Sequence, residues 1–367
     1  KGAVPLPGWK RELYLVPLTK REAERQAVQM VRLYVKNRQD TGALLTTELW
    51  MGDYSLRQQG GKVMELEQLA RLAGGAVADR GIERIGVMRA DVDNLGAAFL
   101  AGFPTKVATL SRTAVLSRQL SLFFKRYVNG LCAGQVPDGR SFALFVDAVK
   151  QERAVHIVYS GGDDMFLVGA WDEIIELAVD IRRAFARFTA GKLTFSAGIG
   201  LFDARCPIAE MARRTGELED YAKQASGKDS IALFGMSTEQ YAPGESMHSA
   251  RYSWQVFEEK VCGEKLAFLQ RYFALGDEQS PMKLPVGKGK LYRLLDFARE
   301  VDAGKGRINL AQFAYVLARL EPRKSAACYG AYQAVRQKLY AWYQCTEDRG
   351  QLATALELVI YGLREKG

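Results

Sequence analysis

Two short acidic runs carry the chemistry that this chain could perform. Asp91-Val92-Asp93-Asn94-Leu95-Gly96 ends an apolar, β-branched stretch, and Gly161-Gly162-Asp163-Asp164 interrupts another. Carboxylates gathered within several Å repel strongly, so such a site calls for a compensating cation. Hard oxygen donors favour Mg²⁺ or Mn²⁺. Two such ions can activate a hydroxyl nucleophile and neutralise a phosphate in transfer. Gly161 and Gly162 are expected to take backbone angles that other residues resist and to leave room for a ligand. Gly96 is expected to open the turn after the first run, where free amides could hold a triphosphate.

Other chemistries lack their residues. The only histidines are His156 and His248, which disfavours Ser-His-Asp hydrolysis, His-rich metal sites and a His-activated thiol. His156 lies in the apolar run AVHIVY and is expected to be a strand residue with no chemical role. None of the five cysteines forms a CxxC, so no zinc knuckle or redox pair is expected. Scattered, odd-numbered cysteines fit a reducing, cytoplasmic compartment. DVDNLG begins like a calcium loop of the EF-hand kind. That loop needs Asp or Asn at its fifth position and Glu at its twelfth, where Leu95 and Gly102 stand.

The elements that must position the carboxylates are legible from periodicity. ERIGVMRAD (83–91) reads as a buried strand, and residues 105–129 carry Leu116, Leu120, Phe123, Phe124 and Tyr127 at helical spacing. AVHIVYS (154–160), GGDD and MFLVGA (165–170) form a hairpin signal. A helix over 171–190, a strand over 192–202, a helix over 207–225 and a strand over 230–235 follow. The order βαββαβ plus αβ is a ferredoxin-like arrangement with one added helix and strand, so the fold class is α+β. Residues 63–73 read as a short amphipathic helix, and 136–152 as an insertion before the hairpin. Past Pro243, helical patterns over 252–275, 289–303, 308–320, 325–345 and 350–365 predict a separate all-α bundle. The expected division is 1–55, the end of a preceding domain with strand-like RELYLVPL and ALLTTELW; 56–242; and 246–367.

The runs ADVDNLG, SRQLSLFFKRYVN, YSGGDDMFLVG, FSAGIGLF and YAKQASGKDSIALFG, in that order, resemble the second Palm domain of one family. It is the large signature subunit of type III CRISPR effector complexes, and its Palm fold is related to GGDEF and nucleotide cyclases. The likeness covers about residues 50–240, and the helical segment resembles that subunit's C-terminal domain more weakly. The resemblance implies ATP polymerisation to cyclic oligoadenylates on target RNA binding, with two Mg²⁺ or Mn²⁺ ions. It implies metal binding by Asp91, the Val92 carbonyl, Asp163 and Asp164, with Asp93 as a further candidate, and catalysis through Asp91, Asp163 and Asp164. Asn94, Gly96, Gly161, Gly162, Lys223 and Lys228 would meet nucleotide or phosphate, and Ser117 or Ser121 an adenine edge. Partners implied are other effector subunits, CRISPR RNA, target RNA and the subunit's first Palm domain. Alternatives are a catalytically silent scaffold and a stand-alone cyclase.

Departures narrow the expectation. No His-Asp nuclease pair, first Palm domain or cysteine-bound zinc is visible, so the chain reads as the C-terminal part of the subunit, without DNase activity and inactive if it needs the first Palm. FLAGFPTKVATL lacks the guanine-reading Asn and Asp of GGDEF enzymes, so adenine is preferred. A chain beginning at lysine without an apolar leader reads as a piece of something longer and carries no secretion signal. No run is long and apolar enough for a membrane helix. Net charge is +9, and residues from 246 on, with 19 basic and 13 acidic side chains, supply +6 of it. Lys283, Lys288, Lys290 and Arg293 around a Pro/Gly-rich turn are therefore the expected RNA-phosphate contact.

Overall fold

The structure, a computed structural model, describes residues 2–5, 12–15, 33–37, 46–74, 80–104, 106, 108–136, 139–145, 152–234, 250–275, 280–300 and 310–364. Contacts divide the chain into two compact units, Lys1–Met51 and Gly52–Gly367. The first boundary therefore falls four residues before the one expected.

In the larger unit the central strand is β1 (Ile85–Val92), buried at nearly every position. A strand covered on both faces needs a continuous apolar run, which Ile85-Gly86-Val87-Met88 supplies before Arg89 and Asp91. It pairs antiparallel with β3 (Asp164–Ala170) and with β4 (Phe195–Phe202). β2 (Val155–Ser160) forms the expected hairpin with β3. β5 (Ser230–Leu233) joins β4 in parallel, and β6 (Ala250–Ser253) joins β5 antiparallel. The sheet order is β6-β5-β4-β1-β3-β2. The run β4-β1-β3-β2 has the order of a ferredoxin-like sheet, as the pattern predicts. β6 lies where the sequence suggested only the start of a helix.

Short helices α1 (Leu66–Arg71) and α2 (Leu95–Ala101) flank β1 in sequence. The helix α3 starts at Leu110–Leu122, widens to π-helical turns at Phe123–Tyr127 and ends at Val128–Cys132. It packs against α4 (Trp171–Phe188) through Phe123 and Phe185, ring centroids 5.0 Å apart. α4 lies over Gly86, where a Cβ would come 2.9 Å from Trp171 Cα. α5 (Ile208–Lys223) lies over Gly198 instead. Gly198 is opposite Arg89, three residues along from Gly86, so strand alternation puts α4 and α5 on opposite faces of the sheet. Arg153, buried just before β2, binds Glu173, Glu176 and Asp180 of α4 at 2.9, 2.7 and 2.6 Å.

The helical segment comprises α6, α7 (Lys288–Glu300), α8 (Leu310–Ala318), α9 (Tyr329–Gln344) and α10 (Thr346–Leu363). α6 runs through Trp254–Val256, a π-helical stretch Phe257–Leu266 and Ala267–Tyr272. α10 is apolar nearly all round from Leu352 to Leu363 and is buried accordingly. The helices expected past Pro243 are present, and they share their interior with the palm. Trp254 donates its indole N–H to the Phe195 carbonyl (2.9 Å). Tyr361 packs edge-on against Trp171 and Phe234, and its carbonyl accepts from the Ile82 amide (2.9 Å). One hydrophobic core runs through palm and helices alike. Among the described residues no helix is long and apolar enough to cross a membrane.

In the smaller unit Gly2–Pro5 pairs antiparallel with Glu12–Leu15, and Leu33–Lys36 pairs in parallel with Thr46–Leu49. The basic middle of the first 55 residues, His248, and much of 136–152 lie outside the described residues.

Candidate active site

The β1–β3 register brings the two acidic runs together. Asp91 stands directly opposite Asp164, and the Val92 amide donates to the Asp163 carbonyl at 3.1 Å. The hairpin closes with Gly161 N–H donating to the Asp164 carbonyl at 3.0 Å. Like charges placed opposite each other cost stability, and the site shows it. Partial burial, then the charges of Asp91 and Asp164, raise Asp163 above the usual carboxylate range, with Lys223 opposing. Lys223, from the last turn of α5, meets Asp91 at 2.8 Å and Glu219 at 2.6 Å. Burial works against its charge, but these bonds outweigh burial and hold it above the usual lysine value. Tyr159 hydrogen-bonds Asp164, which raises the phenol.

The glycines of the turn work by space and not by backbone angle. Neither Gly161 nor Gly162 has positive φ, contrary to expectation. A Cβ on Gly161 would lie 2.1 Å from the Tyr159 hydroxyl, so glycine is what lets that ring cover the turn. A Cβ on Gly162 would sit 3.9 Å from Ser121 Oγ, which places α3 beside the hairpin. Ser117 is exposed one helical turn earlier. Gly96 opens onto free space in the first turn of α2. Asn94 just before it takes the left-handed conformation (φ 54°) and accepts a hydrogen bond from Lys228 Nζ at 2.9 Å.

Asp93 is placed differently from its role as a candidate ligand. It is 4% exposed. Thr194 Oγ1 and the Asp229 amide donate to one carboxylate oxygen at 2.8 and 3.0 Å, and Ser196 Oγ donates to the other at 2.9 Å. Lys228 and Asp229 both have positive φ, so Asp93 pins a strained turn. The regular strand ends at Val92, which releases Asp93 from the alternation that would otherwise put it beside Asp91.

The donor chemistry at Asp91, Asp163 and Asp164 fits a hard divalent ion. As placed, no three acidic, histidine or cysteine side chains among the described residues converge closely enough to hold one. The positive charge beside Asp91 is Lys223, so ion binding there requires that pair to open. Sequence reading missed Tyr159, Glu219 and the Thr194–Ser196 pair. Glu219 had a signal, since it precedes Lys223 by one helical turn.

Residues 84–232 match the family described as Cas10/Cmr2, second palm domain, and residues 270–365 match the Cmr2 subunit of the CRISPR RNA silencing complex, second helical domain. The single-strand-specific deoxyribonuclease Cas10/Csm1 (subtype III-A) of Enterococcus italicus is 36% identical over 368 residues. That alignment takes in 100% of this chain and 41% of the relative, so the chain spans about two-fifths of that relative's length. A Csm1-Csm4 cassette in complex with cA4 has TM-score 0.63 and 30% identity, covering 90% of this chain and 44% of that one. The same cassette in complex with one ATP has TM-score 0.61 and 30% identity, covering 91% and 43%.

Proposed function

The chain belongs to the Cas10/Csm1 family of type III CRISPR large subunits, and on that premise we propose that it carries the nucleotidyltransferase site that joins ATP into cyclic oligoadenylates. The observation that carries the reading is the placement of Asp91 opposite Asp164 at the GGDD turn of a ferredoxin-like sheet. The likeness to cassettes holding cA4 and ATP supports it.

In the reaction the 3′-hydroxyl of one ATP attacks the α-phosphate of another and expels pyrophosphate. Mg²⁺ or Mn²⁺ held by Asp91, Asp163 and Asp164, with the Val92 carbonyl, would supply an activated hydroxyl and charge neutralisation. The chain's own groups do the rest. Lys223 and Lys228 offer positive charge to the triphosphate, Lys228 being steered by Asn94. The bare Gly161–Gly162 turn and Gly96 let nucleotide approach the backbone, and Ser121 stands within reach of the turn to meet the base. The first palm of the complete subunit supplies the second half of a two-ATP site, and CRISPR RNA, target RNA and the companion effector subunits switch it on.

The test replaces Asp163→Ala and Asp164→Ala together in the complete complex, with ATP and Mn²⁺ and products read by mass spectrometry. Oligoadenylate synthesis should vanish while the melting temperature holds or rises, because mutual repulsion has been removed. Unchanged synthesis would reject the assignment.

A further inference from the structure

The basic cluster expected at residues 283–293 is rearranged in the fold. Lys283 turns away and donates Nζ to the Gln270 carbonyl at 3.0 Å. In its place Arg319, one residue past α8, comes up beside Lys290 and Arg293 of α7. These three, with Gly287, Gly289, Val316 and Leu320, line a cavity of about 370 Å³. We propose that this cavity holds a phosphate of single-stranded RNA, with the flanking base stacked on Tyr315.

Three features select that ligand. The first is charge. No lining residue is acidic, and Lys290, Arg293 and Arg319 form no ion pair among the described residues. Cations that are elsewhere neutralised by neighbours are here left to a solvent-facing recess, as a phosphate site requires. The second is shape. A recess of this volume is in the range of small-ligand pockets, and its floor, Val316 and Leu320, is buried and apolar. The third is the aromatic rim. Tyr315 is 58% exposed, and the Arg319 guanidinium lies 5.9 Å from its ring centroid. Cations interleaved with an exposed aromatic are the pattern by which proteins hold single strands. An acidic protein segment is the competing occupant, and competition by polyglutamate separates it from RNA. The site is in the helical segment and does not depend on the palm chemistry, so its failure would leave that reading untouched.

The experiment titrates the 367-residue chain against a fluorescein-labelled single-stranded oligouridylate, read by anisotropy over a series of salt concentrations. Lys290→Gln, Arg293→Gln and Arg319→Gln together should lower the logarithmic salt slope by about 2, at roughly 0.7 per lost contact, and weaken binding about fiftyfold at physiological salt. Tyr315→Ala should weaken binding by at least about fivefold and leave the slope unchanged. The pair Arg323→Gln and Lys324→Gln, exposed and outside the cavity, should change neither. Thermal melting of each variant monitors the fold. Unchanged affinity and slope in the triple variant would overturn the proposal. So would an equal loss in the control pair, or competition by polyglutamate as strong as by unlabelled RNA.

Discussion

Asp91 holds its carboxylate 2.8 Å from Lys223, whereas Asp93, two residues on, is enclosed by Thr194, Ser196 and the Asp229 amide. Spacing alone puts both on one strand face, and only the end of β1 at Val92 separates their tasks. One side chain stays available for chemistry, and the other sets the turn that carries Lys228. His156 shows the same economy without any catalytic part. It lies in β2 as its apolar surroundings predict, its Nε2 2.8 Å from the Met64 carbonyl. Burial lowers its pKa, with that hydrogen bond opposing. The folded chain therefore resists a proton that the unfolded chain accepts near pH 6.5. Stability rises with pH across this window and is lost as pH falls below it. The melting temperature should drop between about pH 7.5 and 5.5, and less so in His156→Gln. Superimposable pH profiles for the two proteins would contradict this.

At the level of elements, α5 reaches the carboxylates because the sheet beneath it is bare. A Cβ on Gly198 would lie 2.4 Å from the Glu219 amide nitrogen and 2.7 Å from the Leu218 carbonyl carbon. Backbone cannot yield as a flexible side chain does, so the helix would have to lift, carrying Glu219 and Lys223 with it. Gly198→Ala should cost about 1–3 kcal/mol, seen as a lower urea midpoint at unchanged slope. Gly330→Ala in α9, where the Cβ meets nothing within 4 Å, should be neutral or gain up to about 1 kcal/mol. An unaltered midpoint for Gly198→Ala would refute the close-packing account. β1 to β5 and the helices α3, α4 and α5 were legible because each carries its own period of apolar residues, whereas α2 was not, its seven residues burying no side chain. β6 was not, because ARYS is only four residues long and becomes a strand by pairing with β5. The role of the turn glycines was misread for a related reason. GGDD suggests unusual φ, while the actual constraint is the Tyr159 ring folded over Gly161.

Across the larger unit, palm and helices share their interior. The change of composition past Pro243 suggests a boundary, but Trp254 on Phe195 and Tyr361 between Trp171 and Phe234 are pairings between distant segments that no local pattern reports. A palm cut back to residues 52–234 would uncover Trp171, Phe195 and Phe234. Each large apolar side chain exposed costs roughly 1.5–3 kcal/mol, a large fraction of the stability of a typical domain. Such a fragment should bind a hydrophobic dye strongly and melt without a sharp transition. A cooperative melt with no dye binding would show that the palm stands alone. The shared interior also bears on inheritance. Two family matches, 84–232 and 270–365, invite the picture of separable cassettes, yet a crossover between them would join a Trp171–Phe234 socket from one parent to a Tyr361 plug from another. Recombination among diverged relatives should therefore succeed when the breakpoint falls near Met51, and fail when it falls between the palm and its helices.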